Sequence, residues 1–192
     1  LGAFWRTPVY VLVGAICILL VTSGIRQSFG LFITPISIDL NWGREPISFA
    51  IGIQNLMVGL AAPFAAMVAD RWGPIRVIST GVLVGALGLI LSSQITTQTE
   101  FLLGSGFLLG IGMSGCGLGL MAAFIGRIAP EHRRMTWLGM ITAGGSLGQA
   151  IFVPFSQEMI DTFDWRGAMI VMAVVLFIAV PIALSLRAGS AA

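Results

Sequence analysis

Between Pro8 and Ile38 the sequence carries a single charge, Arg26, in an otherwise uncharged run. A run of that length has few places to go, because a helix needs about 20 apolar residues to cross a bilayer. The pattern recurs, and the stretches 9–38, 47–69, 74–96, 101–126, 135–160 and 166–187 predict six membrane-spanning helices. Composition agrees: 57% of the 192 residues are hydrophobic, 9% are charged, and mean hydropathy is +0.98, where an ordinary soluble domain is about 25% charged. No stretch is left over for a soluble domain. The first stretch is too long for a signal peptide and lacks a cleavage pattern, so it is expected to remain as a span. Cys17 and Cys116 fall inside predicted spans as small apolar residues, with neither metal-ligand nor disulfide spacing.

The arginines report orientation, since the chain has no lysine and cationic loops resist translocation. Arg6, Arg71, Arg76, Arg127, Arg133, Arg134 and Arg187 fall on one side; Arg44 and Arg166 fall on the other. Both termini are therefore expected in the cytoplasm. Acids run the opposite way, with Asp70 and Glu131 inside and Asp39, Glu45, Glu100, Glu158, Asp161 and Asp164 outside. The net charge of +2 is a topology signal, and nothing in it points to nucleic acid.

PFAAMVAD ends the second stretch and PFSQEMID ends the fifth, at an offset of 91 residues. That offset maps spans one to three onto four to six, and three being odd, the copies face opposite ways: an inverted 3+3 repeat. Glycines four apart, among them Gly81 and Gly85, Gly106 and Gly110, Gly115 and Gly119, and Gly144 and Gly148, leave helix faces bare for a neighbouring backbone. Pro63 and Pro154 each remove a backbone donor late in a span and can bend it.

The loop ADRWGPIRV after the second stretch resembles the cytoplasmic signature of the major facilitator superfamily. Asp70, Arg71, Gly73 and Arg76 fit that pattern. SFGLFITPI, RRMTWLGMITAGGSLGQ and DWRGA are similar to the monocarboxylate-transporter branch and its bacterial relatives, and the resemblance implies a plasma membrane, with a bacterial inner membrane expected. The resemblance implies an all-α membrane protein, the N-terminal six-helix half of a twelve-helix fold working by alternating access. It also implies that Asp70, Arg71, Gly73 and Arg76 form a cytoplasmic latch. Independently of family, Asp70 at a helix C-terminus opposes the macrodipole, so it should be held by Arg71, Arg76 or the N-terminus of another helix, with a partner across an interface between halves as one form of this.

Arg26 needs an explanation, because a charge at that depth costs at least ~2.5–3.5 kcal/mol. Every Asp and Glu is assigned to a loop or helix end, which leaves a wet polar cavity, an acid from another half, or an anionic substrate. Guanidinium matches a carboxylate with two parallel hydrogen bonds. The monocarboxylate branch commonly has lysine at the position matched by Arg26; arginine stays protonated and cannot carry a proton as lysine can. Candidate substrate contacts are Arg26, Gln27, Asn55 and Gln149, drawn from a stripe of Ser23, Gln27, Gly30 and Thr34, the amides Gln54 and Asn55, and a stripe of Thr142, Ser146 and Gln149. An enzyme is not expected: the one histidine, His132, sits in a loop far from Ser146, and no metal-ligand set, phosphate loop or cofactor motif appears. The expected partners are a small carboxylate anion, the bilayer, and a C-terminal half or second copy. An anion channel, a homodimeric six-helix carrier and a non-transporting assembly module are the rival readings.

Overall fold

The computed structural model describes residues 8–189. Arg6 and the side chain of Arg187, two of the arginines assigned to one side, lie outside the described residues and side chains. The order is α1 (Pro8–Ser28), a 3-10 turn (Phe29–Phe32), α2 (Ile33–Asp39), α3 (Arg44–Trp72), α4 (Pro74–Ser93), α5 (Gln98–Phe101), a π-helical segment (Leu102–Leu108), α6 (Leu109–Ser114), α7 (Leu118–Ile128) and α8 (Arg134–Gly189). Within hydrocarbon the backbone has only itself to bond to, which is why every one of these elements is helical.

Among the described residues, five helical segments are long and apolar enough to cross a membrane, where six are expected from the sequence. The difference lies in α8. Its 56 residues would run roughly 80 Å if straight, more than twice a ~30 Å hydrocarbon core. It is not straight: Asp164 has φ 59° and ψ 172°, a conformation foreign to any helix. Before Asp164, Gly144 packs on Ile16, Gly148 on Leu20 and Phe152 on Gly24, so this arm runs parallel to α1. Beyond it, Trp165 meets Asp39 while Ser185 meets Tyr10, so the second arm runs back. Helix continues through Pro63, Pro154 and Pro181 alike.

Asp164, Trp165 and Arg166 fasten that reversal. The Trp165 indole donates to Asp39 at 3.0 Å, and Arg166 donates to the Ser93 and Ile95 carbonyls at 3.1 and 3.2 Å. The Arg166 guanidinium also lies over the Trp165 ring, 4.5 Å from its centroid, and 3.9 Å from Asp39. One arginine thus joins the ends of α2 and α4 to the bend in α8.

Other boundaries have local causes. Gly73 ends α3 at φ 92°, where a side chain would be strained, and Pro74 opens α4 at a position that needs no N–H. Thr97 and Glu100 form a reciprocal capping box on α5. The 3-10 turn and the π segment leave no mark in hydropathy, which is why the first and fourth stretches read as unbroken.

Missing side chains set the helix spacing. A Cβ on Gly81 would lie 2.7 Å from the Gly112 carbonyl, and one on Gly110 would lie 2.8 Å from that of Gln54. Gly88 of α4 sits against the Gly104 carbonyl and the Leu109 amide, which bond to each other across the π turn. Only α3 stands largely uncovered: 6% of its most apolar stretch is buried, against 61% for α4.

Gly148→Ala tests the α1 contact. The new methyl would fall on the Leu20 carbonyl, so neither helix can stay where it is. The variant should unfold earlier in detergent, with a loss of roughly 1–3 kcal/mol, whereas Gly139→Ala, which meets nothing within 4 Å, should be neutral.

Candidate functional site

Arg26 lies in the last turn of α1 and is exposed, with its guanidinium facing a cavity of about 310 Å³. The cavity floor is Thr22, Ser23 and Arg26 from α1; the opposite wall is Thr142, Gly145, Ser146 and Gln149 from the first arm of α8. Val58 of α3 and Met113, Gly117 and Leu118 around the α6–α7 break complete it. The packing of Gly148 on Leu20 is what brings Gln149 and Arg26 to the same space.

The guanidinium is under-used. Its single hydrogen bond among the described residues goes from Nη1 to the Asn55 Oδ1, at a long 3.4 Å. No carboxylate pairs with it: the ion pairs among the described residues are Arg127 with Asp70 and Arg166 with Asp39. A guanidinium offers five N–H donors, so most of them point at open space. Asn55 is held in turn by its own amide, which donates to the Ile51 carbonyl at 2.9 Å.

The cavity hydroxyls are committed inward. Thr22 donates to the Ile18 carbonyl and Thr142 to that of Leu138, both at 2.9 Å, and Ser146 to that of Thr142 at 3.4 Å. Each thereby presents lone pairs, not a proton, to the cavity. Ser23 and Gln149 make no hydrogen bond to the described residues, so they and Arg26 supply the available donors.

Of the residues singled out in the sequence, Arg26 and Gln149 line the cavity and Asn55 reaches it through Arg26. Gln27 is exposed but sits about 100° round the helix from Arg26 and is not on the wall. Gln54 turns the other way, buried toward α6 with its Nε2 unpartnered among the described residues. Val58, Met113, Gly117 and Leu118 carry no chemical signal that a sequence reading could find.

At the far end of α3 the Asp70 carboxylate pairs with Arg127 at 2.7 Å, both side chains well exposed. The sequence pointed to Arg71, Arg76 or a helix N-terminus instead; Arg71 and Arg76 are exposed and make no ion pair among the described residues. Arg127 wins because it closes α7, where a cation suits the helix C-terminus and α7 ends beside α3. Such an exposed pair is worth at most about 1 kcal/mol to stability.

The family model of the Major Facilitator Superfamily matches residues 11–191. The chain belongs to the major facilitator superfamily. Within the superfamily it is similar to monocarboxylate transporters, at about a quarter identity. It is 25% identical over 167 residues to monocarboxylate transporter 11 of Mus musculus, covering 85% of this chain and 36% of that protein. It is 25% identical over 150 residues to monocarboxylate transporter 13 of Rattus norvegicus, covering 78% and 35%. Monocarboxylate transporter 2 of Homo sapiens matches at 25% over 130 residues, covering 68% and 27%. The chain spans about a third of the length of these curated relatives. It is a multi-pass membrane protein of a transporter family.

The cavity geometry can be read chemically. In a Cys17→Ser background, Ser146→Cys and Gln149→Cys should react quickly with a membrane-impermeant thiol reagent, and Ser156→Cys, fully buried, should not. Equal labelling at all three positions would contradict the cavity wall described above.

Proposed function

We propose that this chain is the N-terminal six-helix half of a secondary transporter that moves a small monocarboxylate by alternating access, with Arg26 receiving the carboxylate. The observation that carries this is the free guanidinium. It is costly at its depth, faces a cavity, is bonded once and weakly, and has no carboxylate partner among the described residues. A carboxylate entering the cavity would take two of the idle N–H donors in the geometry they prefer. Gln149 and Ser23 stand ready for the ligand's other polar atoms; Gln27 falls outside that set. The names of the relatives, all monocarboxylate transporters, agree with the ligand class.

The reading counts the two arms of α8 as spans five and six, related with spans one to four as an inverted 3+3 repeat, and both termini as cytoplasmic in a bacterial inner membrane. Support for a partner half comes from matched bare faces. Ser48, Gly52, Asn55, Gly59, Ala66 and Asp70 of α3 are all exposed at helical spacing. At the 91-residue offset, Gly139, Ala143, Ser146, Ala150, Gln157 and Asp161 of α8 are exposed too. A Cβ on Gly52, Gly59 or Gly139 would meet nothing within 4 Å. Small residues suit close helix contact far better than they suit lipid tails. A C-terminal half, or a second copy, would fill both seams and close the cavity over Arg26. Asp70 with Arg127, beside Arg71, Gly73 and Arg76, would then be the part of the cytoplasmic latch that this half supplies.

Arg26→Gln should abolish thermal stabilisation by small monocarboxylates and leave the unliganded unfolding midpoint unchanged or raised, since it removes a charge from the membrane. Arg26→Lys should keep part of the stabilisation, because the charge survives and the fork does not. Undiminished stabilisation in Arg26→Gln would remove the substrate role.

Asp70→Asn should slow transport by the complete carrier several-fold while shifting stability by no more than about 1 kcal/mol. Uptake kinetics equal to wild type would mean that the pair is not part of a latch.

A further inference from the structure

A second cavity, of about 500 Å³, lies away from Arg26, between the end of α4 and the π-helical segment. Its rim is polar, with Gln94, Thr96 and Glu100, and its wall is Leu91, Leu103 and Phe107. Those three wall residues are 55%, 57% and 37% exposed, large side chains turned outward where lipid lies. Phe107 is nine residues past Gln98, so the wall runs roughly 10–13 Å along the helix from the rim. The rim sits where α4 ends and the next membrane-length helix begins, which is headgroup depth.

Glu100 makes the rim selective. One carboxylate oxygen, Oε2, accepts from the Thr96 amide at 2.8 Å, the Thr97 amide at 3.1 Å and the Thr96 hydroxyl at 3.2 Å. Three donors on one oxygen fix the side chain and are the bonding pattern of a carboxylate. The other oxygen, Oε1, accepts nothing from the described residues. Gln94 is exposed beside it and likewise makes no side-chain hydrogen bond to them. The rim therefore offers a fixed acceptor with negative charge next to an amide donor, above an apolar trough. Arg166, which donates to the Ser93 and Ile95 carbonyls beside the rim, is taken up by them and by Asp39.

We propose that this cavity binds one phospholipid with a primary-amine headgroup, its ammonium on Glu100, its phosphate on Gln94 and an acyl chain along Leu91, Leu103 and Phe107. A choline headgroup has no N–H to give, and an anionic glycerol headgroup meets the carboxylate with the wrong sign. A protein helix is a poorer occupant: the wall is large and aliphatic or aromatic, unlike the small-residue seams of α3 and α8, and none of it belongs to either helix. The π turn borders the cavity, and Gly104 on its lining lies close against Ser92 of α4.

The test incubates the full chain, stripped of lipid in detergent, with phosphatidylethanolamine, its N-methylated series through phosphatidylcholine, and phosphatidylglycerol, all with matched acyl chains. Native mass spectrometry counts what is retained. Phosphatidylethanolamine should be kept about fivefold over phosphatidylcholine, the ratio one net hydrogen bond supplies, since both headgroups carry the same charge, and retention should fall as N–H donors are replaced by methyl groups. Glu100→Gln should bring the ratio near one; glutamine still completes a capping box, so the helix start is preserved. Glu45→Gln, another exposed acid at the same end, should leave the ratio unchanged. The proposal is overturned by equal retention across the N-methyl series, by phosphatidylglycerol binding as well as the amine lipid, or by Glu100→Gln keeping the preference; the wild-type series decides even should that variant unfold.

Discussion

The contact between α1 and the two arms of α8 is the one on which the remaining structure depends. Lipid tails are as apolar as leucine, so helices in a membrane gain nothing by hiding apolar side chains from them and associate by fit. Here the fit is backbone against backbone. Gly148 lets the first arm lie on Leu20, Gly24 accepts the Phe152 ring, and Gly14 accepts Leu186 of the second arm. These meshing points fix how α1 is rotated. They leave Arg26 and Ser23 facing the wall that carries Ser146 and Gln149, and they bury Ile25 and Ser28 on the far side. A few ångströms of closeness between helices thus decides which side of α1 is wet.

Polar groups in the described spans obey the same scarcity of partners. Serine and threonine hydroxyls at 22, 28, 79, 92, 105, 142 and 156 donate to a carbonyl one turn back on their own helix. That arrangement satisfies the hydroxyl without a neighbour and slightly loosens the helix. Arg26 departs from that pattern, since no carbonyl of its own helix accepts from it, and so do Ser23 and Gln149 on the same cavity and the Gln54 amide against α6. Three of these four under-bonded side chains gather on one cavity.

Much of this was legible in the sequence because hydropathy reports burial in lipid directly. Arg26, for one, stood out as a lone charge in an uncharged run. Other features were not legible, for physical reasons. The sequence left residues 161–165 between its fifth and sixth stretches, but it did not show what holds the bend: Asp164 has no special tolerance for φ 59° and ψ 172°, and the strain is held by Trp165 and Arg166 meeting Asp39, more than a hundred residues away in sequence. Asp70 finds Arg127 and not its near neighbours because the choice depends on where α7 ends, a tertiary fact. Gln27 and Arg26 are adjacent in sequence, yet adjacency on a helix separates faces. Pro63 and Pro154, the obvious candidates for breaks, lie within continuous helix.

The π turn at Leu102–Leu108 changes what length means in this chain. A π turn is an α-helix that has absorbed one extra residue, and each residue is worth about 100° of rotation. Near its start Gly104 meets Ser92 of α4; downstream Gly112 and Gly115 meet Gly85, Gly81 and Val77 of the same helix. Both sets of small residues are in phase with α4 only because the added residue sits between them. A deletion there would not shorten a loop or trim a surface. It would wind the segment back to ordinary helix and turn every later glycine a quarter of the way round, away from the backbone it was cut to fit.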